Sequence, residues 1–327
     1  MTRYGYAAMN TTLREENVRT NRGMRQATFE ERGLSYAGEL AEQNCRDLRR
    51  IVEWNLDHDI HFYRITSDLL PWYSRYAIDE LPNAAAVREE LEAVGTLAAD
   101  HDVRLTFHPN HFVKLASPDD SVVNNAVVDL ENHGSLMDAI GLSRTPYNAI
   151  NVHIGAHYGD KEATGRRFCE NLDRLSASVR TRLTVENDDK PSLWSVSELV
   201  DVVAGQSPAA HRTSSDDVAD ETGIPVTYDE LHHQFAPRGL TRRDAARLAA
   251  DTWETTPIFH YSESRRLYET GSTVRPQNHS DYVRGPIRTY GTGADVMIEA
   301  KMKERALLRY RERRAAAGER SNDARGT

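Results

Sequence analysis

Cysteine and lysine are scarce in this chain. Only Cys45 and Cys169 occur among 327 residues, so no disulfide framework is available, and neither thiol has the spacing of a Cys-rich zinc site. No run of eighteen apolar residues occurs, so the sequence predicts no transmembrane helix. The N-terminal residues lack the apolar stretch of a secretory signal. We therefore expect a protein of the reducing cytoplasm, with no membrane partner.

The basic residues are almost all arginine. Lysine accounts for five of the 41 basic residues, and arginine for the other 36. This bias fits either a high-salt cytoplasm or a GC-rich genome. A net charge of −9 argues against a general basic coat for nucleic acid, although a local basic face would be enough to bind DNA.

The chain alternates strand-like and helix-like segments. Residues 3–7 and 60–65 are predicted strands, and helices are expected near 35–57, from an N-cap at Asn83 through His101, and near 119–141, 160–180, 195–204 and 241–254. Six further strands bring the total to eight, which predicts a single (β/α)₈ TIM barrel over residues 1–314. No glycine-rich phosphate loop follows the first strand, so a dinucleotide-binding fold has no motif support.

Two segments depart from this alternation. Residues 205–223 are polar and rich in turn formers, which predicts an exposed insertion in which His211 is not a ligand. Residues 301–320 carry eight Lys or Arg against three Glu. They predict a charged helix that gives way to a disordered tail over residues 315–327. This basic segment is either a solvated helix or an auxiliary contact to a DNA backbone.

Six of the predicted strands end in a side chain that can bind a metal ion. Because a TIM barrel gathers the C-terminal ends of its strands on one face, these side chains are expected to converge. They are His108, His153, Glu186, Asp229, His260 and Glu299. Imidazole and carboxylate ligands suit divalent metal ions acting on an anionic substrate.

Further candidates lie in the loops of the same face. His232 lies three residues beyond Asp229, and His279 lies in the loop between the seventh and eighth strands; both are candidate ligands. Glu186 is best placed to bridge two ions. The residues after it, Asn187 to Asp189, are expected to be turn and capping residues, and His233 is expected to point away from the ions or to support a ligand.

Phosphodiester hydrolysis is the chemistry that this ligand set suits best, since metal ions neutralise the phosphate and activate water. A sugar isomerase or epimerase on the same barrel, and a non-catalytic protein that binds damaged DNA, remain alternatives. The pair His111-Phe112 stands beside Lys114 in the loop after the third strand. It is either a wedge that enters a base stack or a pair that packs on the barrel rim.

Taken together, these motifs resemble the UV damage endonucleases. The resemblance runs in order over about residues 3–305. The matching stretches are Gly5-Tyr6 with Asn10-Thr-Thr-Leu, Thr20-Asn-Arg, Phe62-Tyr-Arg-Ile, His108-Pro, Ser117-Pro-Asp, Val152-His-Ile-Gly, Tyr158-Gly-Asp-Lys161, Val185-Glu-Asn-Asp, Tyr228-Asp-x-Leu-His-His and Val296-Met-Ile-Glu-Ala-Lys. It implies a barrel related to apurinic endonuclease IV and a monomer that acts on double-stranded DNA. It also implies incision immediately 5′ to cyclobutane dimers, 6-4 photoproducts and some other lesions.

The resemblance also implies roles for individual residues. One ion would be held by His108, His153 and Glu186, a second by Glu186, Asp229, His260 and Glu299, and a third by His232 and His279. We expect up to three divalent ions, Mn²⁺ above all, with Zn²⁺ or Mg²⁺ as alternatives. Glu186 and Lys161 are the predicted catalytic residues, and Tyr6, Asn10, His111 and Phe112 are the predicted contacts to the lesion.

Three positions depart from the family pattern. The probing pair is typically Gln-Tyr, where this chain has His111-Phe112, so the hydrogen bonds to orphaned bases must differ. Some members carry a lysine, which can be carboxylated, two residues before the ligand at His260, and Ile258 stands there. Gly155-Ala156 replaces a Gly-Gly pair.

Overall fold

Eight parallel strands close into a barrel in the computed structural model, which describes residues 2–110, 112–204, 223–269 and 273–316. Each strand pairs with its neighbours in sequence, and β1 pairs with β8. This confirms the predicted TIM barrel. The strands are β1 Tyr4–Ala7, β2 Phe62–Ile65, β3 Arg104–Phe107, β4 Ile150–Val152, β5 Leu183–Glu186, β6 Val226–Asp229, β7 Ile258–Tyr261 and β8 Asp295–Ile298.

Helices and short turns surround the barrel. The helices are α1 Thr11–Arg14, α2 Gln26–Asp57, α3 Ala84–Asp100, α4 Asp120–Ile140, α5 Lys161–Leu172, α6 Ala177–Arg180, α7 Val196–Val203, α8 Glu230–Phe235, α9 Arg242–Ala250 and α10 Lys303–Ala316. None of the helices in these ranges is long and apolar enough to span a membrane. Residues 205–222 and 317–327 lie outside the described ranges, so the exposed insertion containing His211 and the disordered tail stay predictions.

Three predicted helix features differ in detail. α2 begins earlier than expected but breaks at Gly33, where φ is 61°, so its regular part starts where the sequence pattern does. The predicted helix at 160–180 is two helices, because the chain turns between α5 and α6. Asn83 precedes α3 as predicted, but its amide donates to the carbonyl oxygen of Gly38 and to Glu42 and does not cap the helix.

Arg104 closes the end of the barrel opposite the strand C-termini. Its side chain is fully buried and lies 3.0 Å from the carboxylate of Asp295 in β8. It also donates to the carbonyl oxygens of Tyr147 at 2.7 Å and Thr256 at 2.9 Å. A buried cation is tolerated only when it is paired with an opposite charge and hydrogen-bonded, and Arg104 meets both conditions. Its side chain therefore links β3 to β8 and to the loop before β7.

The basic helix α10 packs against the barrel instead of standing in solvent. Arg311 donates to the carbonyl oxygens of His58 and Asp59, and Arg314 donates to the hydroxyl of Tyr4 at 2.6 Å. Leu307 and Tyr310 are buried beneath the helix. These arginines therefore hold one side of the helix against the barrel, while Arg309 and Arg313 are exposed, and the DNA contact stays a prediction.

Candidate metal centre

The barrel brings the six predicted strand-end ligands to one mouth. His108 and His153 directly follow β3 and β4, Glu186 and Asp229 end β5 and β6, His260 lies in β7, and Glu299 directly follows β8. Because all eight strands are parallel, these positions share the C-terminal face. Three of the six, Glu186, Asp229 and His260, are at least 97% buried.

Glu186 lies at the centre of the cluster. Its carboxylate is within 3.0 to 3.8 Å of four imidazoles. His108 Nε2 and His260 Nδ1 lie 3.1 and 3.0 Å away, and Asn151 Nδ2 donates to the same oxygen at 2.5 Å. This position fits the bridging role predicted for Glu186.

Three groups of side chains have ligand atoms within 4.8 Å of one another. They are His108 with His153 and Glu186, Glu186 with Asp229 and His232, and Asp229 with His260 and Glu299. The first group is the predicted one, and the third contains three of the four ligands predicted for the second ion, without Glu186. His232 groups with Glu186 and Asp229, whereas it was expected to pair with His279. His279 lies instead beside Glu299, with Nδ1 2.7 Å from its carbonyl oxygen and 3.7 Å from its carboxylate.

Several buried polar atoms in the cluster lack a hydrogen-bond partner. They are Nδ1 of His153, Nδ1 of His260 and Oδ2 of Asp229. The two imidazole nitrogens lie close to carboxylates, at 3.2 Å from Asp188 and 3.0 Å from Glu186, but they are not aligned for hydrogen bonds. Unsatisfied buried groups are costly in a folded protein. Imidazole nitrogens and carboxylate oxygens are the donor set of a divalent metal site, and in His153 the nitrogen that faces Glu186 is Nε2.

The carboxylates at the mouth attract positive charge. Burial by itself would raise the pKa of Glu186, but His260 and His153 hold it well below its usual value. Burial would lower the pKa of His153, and Glu186 with Asp188 raises it to about 10. The carboxylate of Glu299 forms an ion pair with Arg64 of β2. Glu186 and Glu299, whose pKa values lie below their usual range, are therefore ionised among positively charged side chains, which suits divalent ions.

Four residues that were not predicted as ligands also contact the cluster. Asp188, expected to be a turn residue, lies 3.2 Å from Nδ1 of His153 and accepts from the backbone of Trp194. Asn187 exchanges two hydrogen bonds with the backbone of Asp229. Arg64 and Asn151 contact Glu299 and Glu186. Asn187 and Asp188 follow β5 directly and share that sequence signal with the ligands, whereas Arg64 and Asn151 lie inside β2 and β4 and carry no such signal.

Tyr6 and Asn10, the predicted lesion contacts in the N-terminal segment, lie in the packed interior. The Tyr6 hydroxyl donates to Asn55 at 2.7 Å and accepts from Asn10 at 3.0 Å. The oxygen of Asn10 caps α1 through the backbone of Leu13. Both side chains are at least 98% buried, so contact with DNA would require them to leave this packing.

Lys161 lies apart from the cluster. Its ammonium is 2.8 Å from the carboxylate of Glu198 and 4.9 Å from the ring centre of Trp194, and it donates to the carbonyl oxygen of Leu193. Within the described ranges it contacts no ligand of the metal groups. These contacts hold α5 against α7 and the segment before it. Lys161 therefore has a structural role here, and its predicted catalytic role gains no support from the structure.

The loop after β3 carries the predicted wedge. His111 lies outside the described residues, and Phe112 is 72% exposed.

Two other predicted positions lie in the interior of the protein. Ile258, at the position of the family lysine, is buried in an apolar cluster with Phe62, Trp253 and Met297. His233 is buried, with Nε2 3.2 Å from the carbonyl oxygen of Leu240, and makes no described contact with a ligand.

The fold and the cluster together define a TIM barrel with a histidine and carboxylate centre at its mouth. A model of the UV-endonuclease UvdE family matches residues 2–319, and the chain belongs to this family. Among curated proteins, it is 34% identical over 319 residues to a UV-damage endonuclease of Schizosaccharomyces pombe, covering 94% of this chain and 49% of that protein. The chain thus spans about half the length of that relative. It is 29% identical to a UV DNA damage endonuclease of Bacillus pumilus, covering 96% of this chain and 94% of that protein.

Solved structures agree with this assignment. The structure called SacUVDE superposes with a TM-score of 0.78 at 26% identity, covering 98% of this chain and all of the other. Endonuclease IV from Thermus thermophilus superposes at 0.55 with 16% identity, covering 95% of this chain and 98% of the other. D-psicose 3-epimerase from Clostridium cellulolyticum superposes at 0.51 with 14% identity, covering 77% and 78%. The last two likenesses show the fold alone.

Proposed function

We propose that this protein is a metal-dependent DNA repair endonuclease that nicks the strand immediately 5′ to UV photoproducts. The observation that carries the proposal is the position of Glu186, buried and within 3.8 Å of four imidazoles at the barrel mouth, in a chain that belongs to the UvdE family. A carboxylate so placed can serve two ions at once. Double-stranded DNA with UV lesions would be the substrate of a cytoplasmic monomer.

The donor atoms divide among up to three ions. His108, His153 and Glu186 would hold one, and Glu186, Asp229, His260 and Glu299 a second. His232 would take part in a third site, with Glu186 and Asp229 as neighbours. His279 would join that site only if its ring turns away from Glu299. Mn²⁺ is the ion we expect, with Zn²⁺ or Mg²⁺ as alternatives.

Divalent ions in these sites would supply the charge that neutralises a phosphodiester and activates water for attack on phosphorus. The protein side chains fix the site around that chemistry. Asn151 donates to one oxygen of Glu186, Arg64 pairs with the carboxylate of Glu299, and Asp188 pairs with His153. These contacts keep the ligands in place without a bound substrate, and such preorganisation supports catalysis.

Lesion selectivity would come from base flipping. A damaged nucleotide pairs and stacks poorly, so it leaves the duplex at lower cost than an intact one. The exposed ring of Phe112, beside His111 in the loop after β3, would fill the gap by stacking. Because this pair differs from Gln-Tyr, stacking would contribute more here and hydrogen bonds to orphaned bases less.

The deciding experiment is a nicking assay on an end-labelled duplex. A UV-irradiated duplex incubated with the protein and Mn²⁺ should be cut 5′ to dipyrimidines, and a chelator should stop the cutting. The unirradiated duplex and the Glu186→Gln variant, whose neutral amide cannot bridge two cations, serve as controls. Equal cutting of both duplexes would refute lesion selectivity.

The same preparation tests the alternatives. Conversion of an aldose to a ketose without nicking would favour a sugar isomerase. Metal-independent binding to the lesion, with no cleavage under any divalent ion, would favour a damage-binding protein.

A further inference from the structure

A cavity of about 700 Å³ lies beside the metal groups, and several residues that line it have no role in the function proposed above. His153 and His232 of the cluster line it, together with Lys114 from the loop after β3 and Lys190 from the loop after β5. The cavity is thus continuous with the first metal group. Any strand whose phosphate reaches His153 passes its opening.

The two lysines stand out because this chain has only five. Lys161 is ion-paired with Glu198, and Lys301 and Lys303 lie at or just before the start of α10, away from this cavity. By contrast, neither the Lys114 nor the Lys190 ammonium makes a hydrogen bond or ion pair with any residue in the described ranges. Lys190 is exposed and Lys114 is partly exposed. Two unpaired ammonium groups in one cavity suit an anionic ligand with several oxygens, since lysine is a flexible point charge with three donors.

Two carboxylates, Asp188 and Asp189, also line this cavity and contribute negative charge to it. Asp188 is occupied, since it contacts His153 and accepts from the backbone of Trp194. Asp189 is half-buried and lines the wall. The two lysines offset these charges, and divalent ions in the neighbouring groups would make the opening positive overall.

We propose that this cavity is a phosphate subsite, in which Lys114 and Lys190 hold a backbone phosphate next to the one at the metal groups. The inference rests on the proposed function, because it takes the ligand to be a DNA strand. Successive phosphates of one strand lie about 3.4 Å apart along the helix axis, so the neighbour of a phosphate at His153 comes within reach of a cavity that His153 lines. Backbone contacts carry no sequence information, so the subsite sets the register of the strand and not the choice of lesion.

The test is the salt dependence of binding to an undamaged duplex, which the enzyme should not cut. Each phosphate contact adds about one unit to the slope of log K against log salt concentration. Because both lysines hold the same phosphate, the double variant Lys114→Ala/Lys190→Ala should lower that slope by about one unit, and each single variant by part of that. Lys114→Arg and Lys190→Arg keep the charge and should retain most of the slope.

A matched control removes one positive charge at the other end of the barrel. Arg144 is exposed and lies in the segment between α4 and β4, where it pairs with Asp138. Arg144→Ala should leave the slope unchanged. An equal fall for Arg144→Ala would attribute the effect to net charge and overturn the subsite, as would unchanged slopes for both lysine-to-alanine variants.

The nicking assay separates this inference from the proposed function. Wild-type protein that nicks irradiated DNA while the lysine variants keep the full slope would refute the subsite alone. Wild-type protein that neither nicks nor binds DNA would refute the proposed function, and the subsite with it.

Discussion

Asp188 lies beside the candidate metal centre without being one of its predicted ligands. Its carboxylate lies 3.2 Å from Nδ1 of His153, while Nε2 of the same ring lies 3.8 Å from Glu186. This ion pair is not aligned as a hydrogen bond, but a carboxylate beside one imidazole nitrogen makes the other nitrogen a better metal ligand. The neighbouring Asp189 makes no hydrogen bond or ion pair with the part of the chain that the structure describes, although it follows directly in sequence.

These two residues give a matched pair of variants. Asp188→Asn should lower metal affinity about 10-fold to 100-fold, because loss of a supporting carboxylate costs about that much. The measurement is competition with a chelating dye, at constant ionic strength. Asp189→Asn should change metal affinity little, and equal losses in the two variants would show that general acidity, not orientation of His153, sets the affinity.

At the scale of elements, a side chain of α10 caps the N-terminus of α1. Glu304 of α10 is fully buried, and its carboxylate accepts from the backbone nitrogens of Thr11 and Thr12, both at 2.8 Å, and from both hydroxyls. These are the free N–H groups at the start of α1. A side chain 292 residues away in sequence therefore satisfies the helix that follows β1.

Removal of this carboxylate should destabilise the protein. Glu304→Ala leaves two backbone donors and two hydroxyls without their acceptor, and hydrogen bonds to charged groups contribute about 1.5–3 kcal/mol. We expect the free energy of unfolding in urea to fall by about 3 kcal/mol. Glu312→Ala, an exposed position on the same helix, should have little effect. If the two variants unfold at the same urea concentration, the cap contributes nothing.

At the scale of the whole molecule, the barrel concentrates acidic side chains from distant parts of the chain. Glu186, Asp229 and Glu299 come from β5, β6 and β8, and they share a buried mouth with four histidines. Burial, with Glu186 and Glu299 nearby, raises the pKa of Asp229 against the opposing effect of His232. Bound cations would relieve this accumulation of negative charge, so metal binding and folding should be linked.

Metal removal should therefore lower stability. An ion that binds only the folded state stabilises it by about 2.7 kcal/mol at 100 times its dissociation constant. Mn²⁺ at that concentration should raise the free energy of unfolding by about this amount for each occupied site, and a chelator should reverse the gain. Sodium chloride of equal ionic strength is the control, and Glu186→Gln should gain less. No gain with any divalent ion would contradict a metal centre at this mouth.

The sequence by itself determined the barrel and most of its mouth. Eight short strands separated by helices specify a parallel barrel, and a parallel barrel places every strand end on one face. For this reason His108, His153, Glu186, Asp229, His260 and Glu299 could be expected to meet although about 190 residues separate the first from the last. That inference needs only the local pattern and the symmetry of the fold.

Only the tertiary structure decided the contacts that depend on the angle and depth of a side chain. It grouped His232 with Glu186 and Asp229, turned Asp188 towards His153, buried Tyr6 and Asn10, and held Lys161 on Glu198. It also placed Arg104 at the barrel end opposite the strand C-termini, and Glu304 at the N-terminus of α1. Each of these contacts joins residues from different elements, and their geometry follows from how the elements pack, which no local pattern of residues encodes.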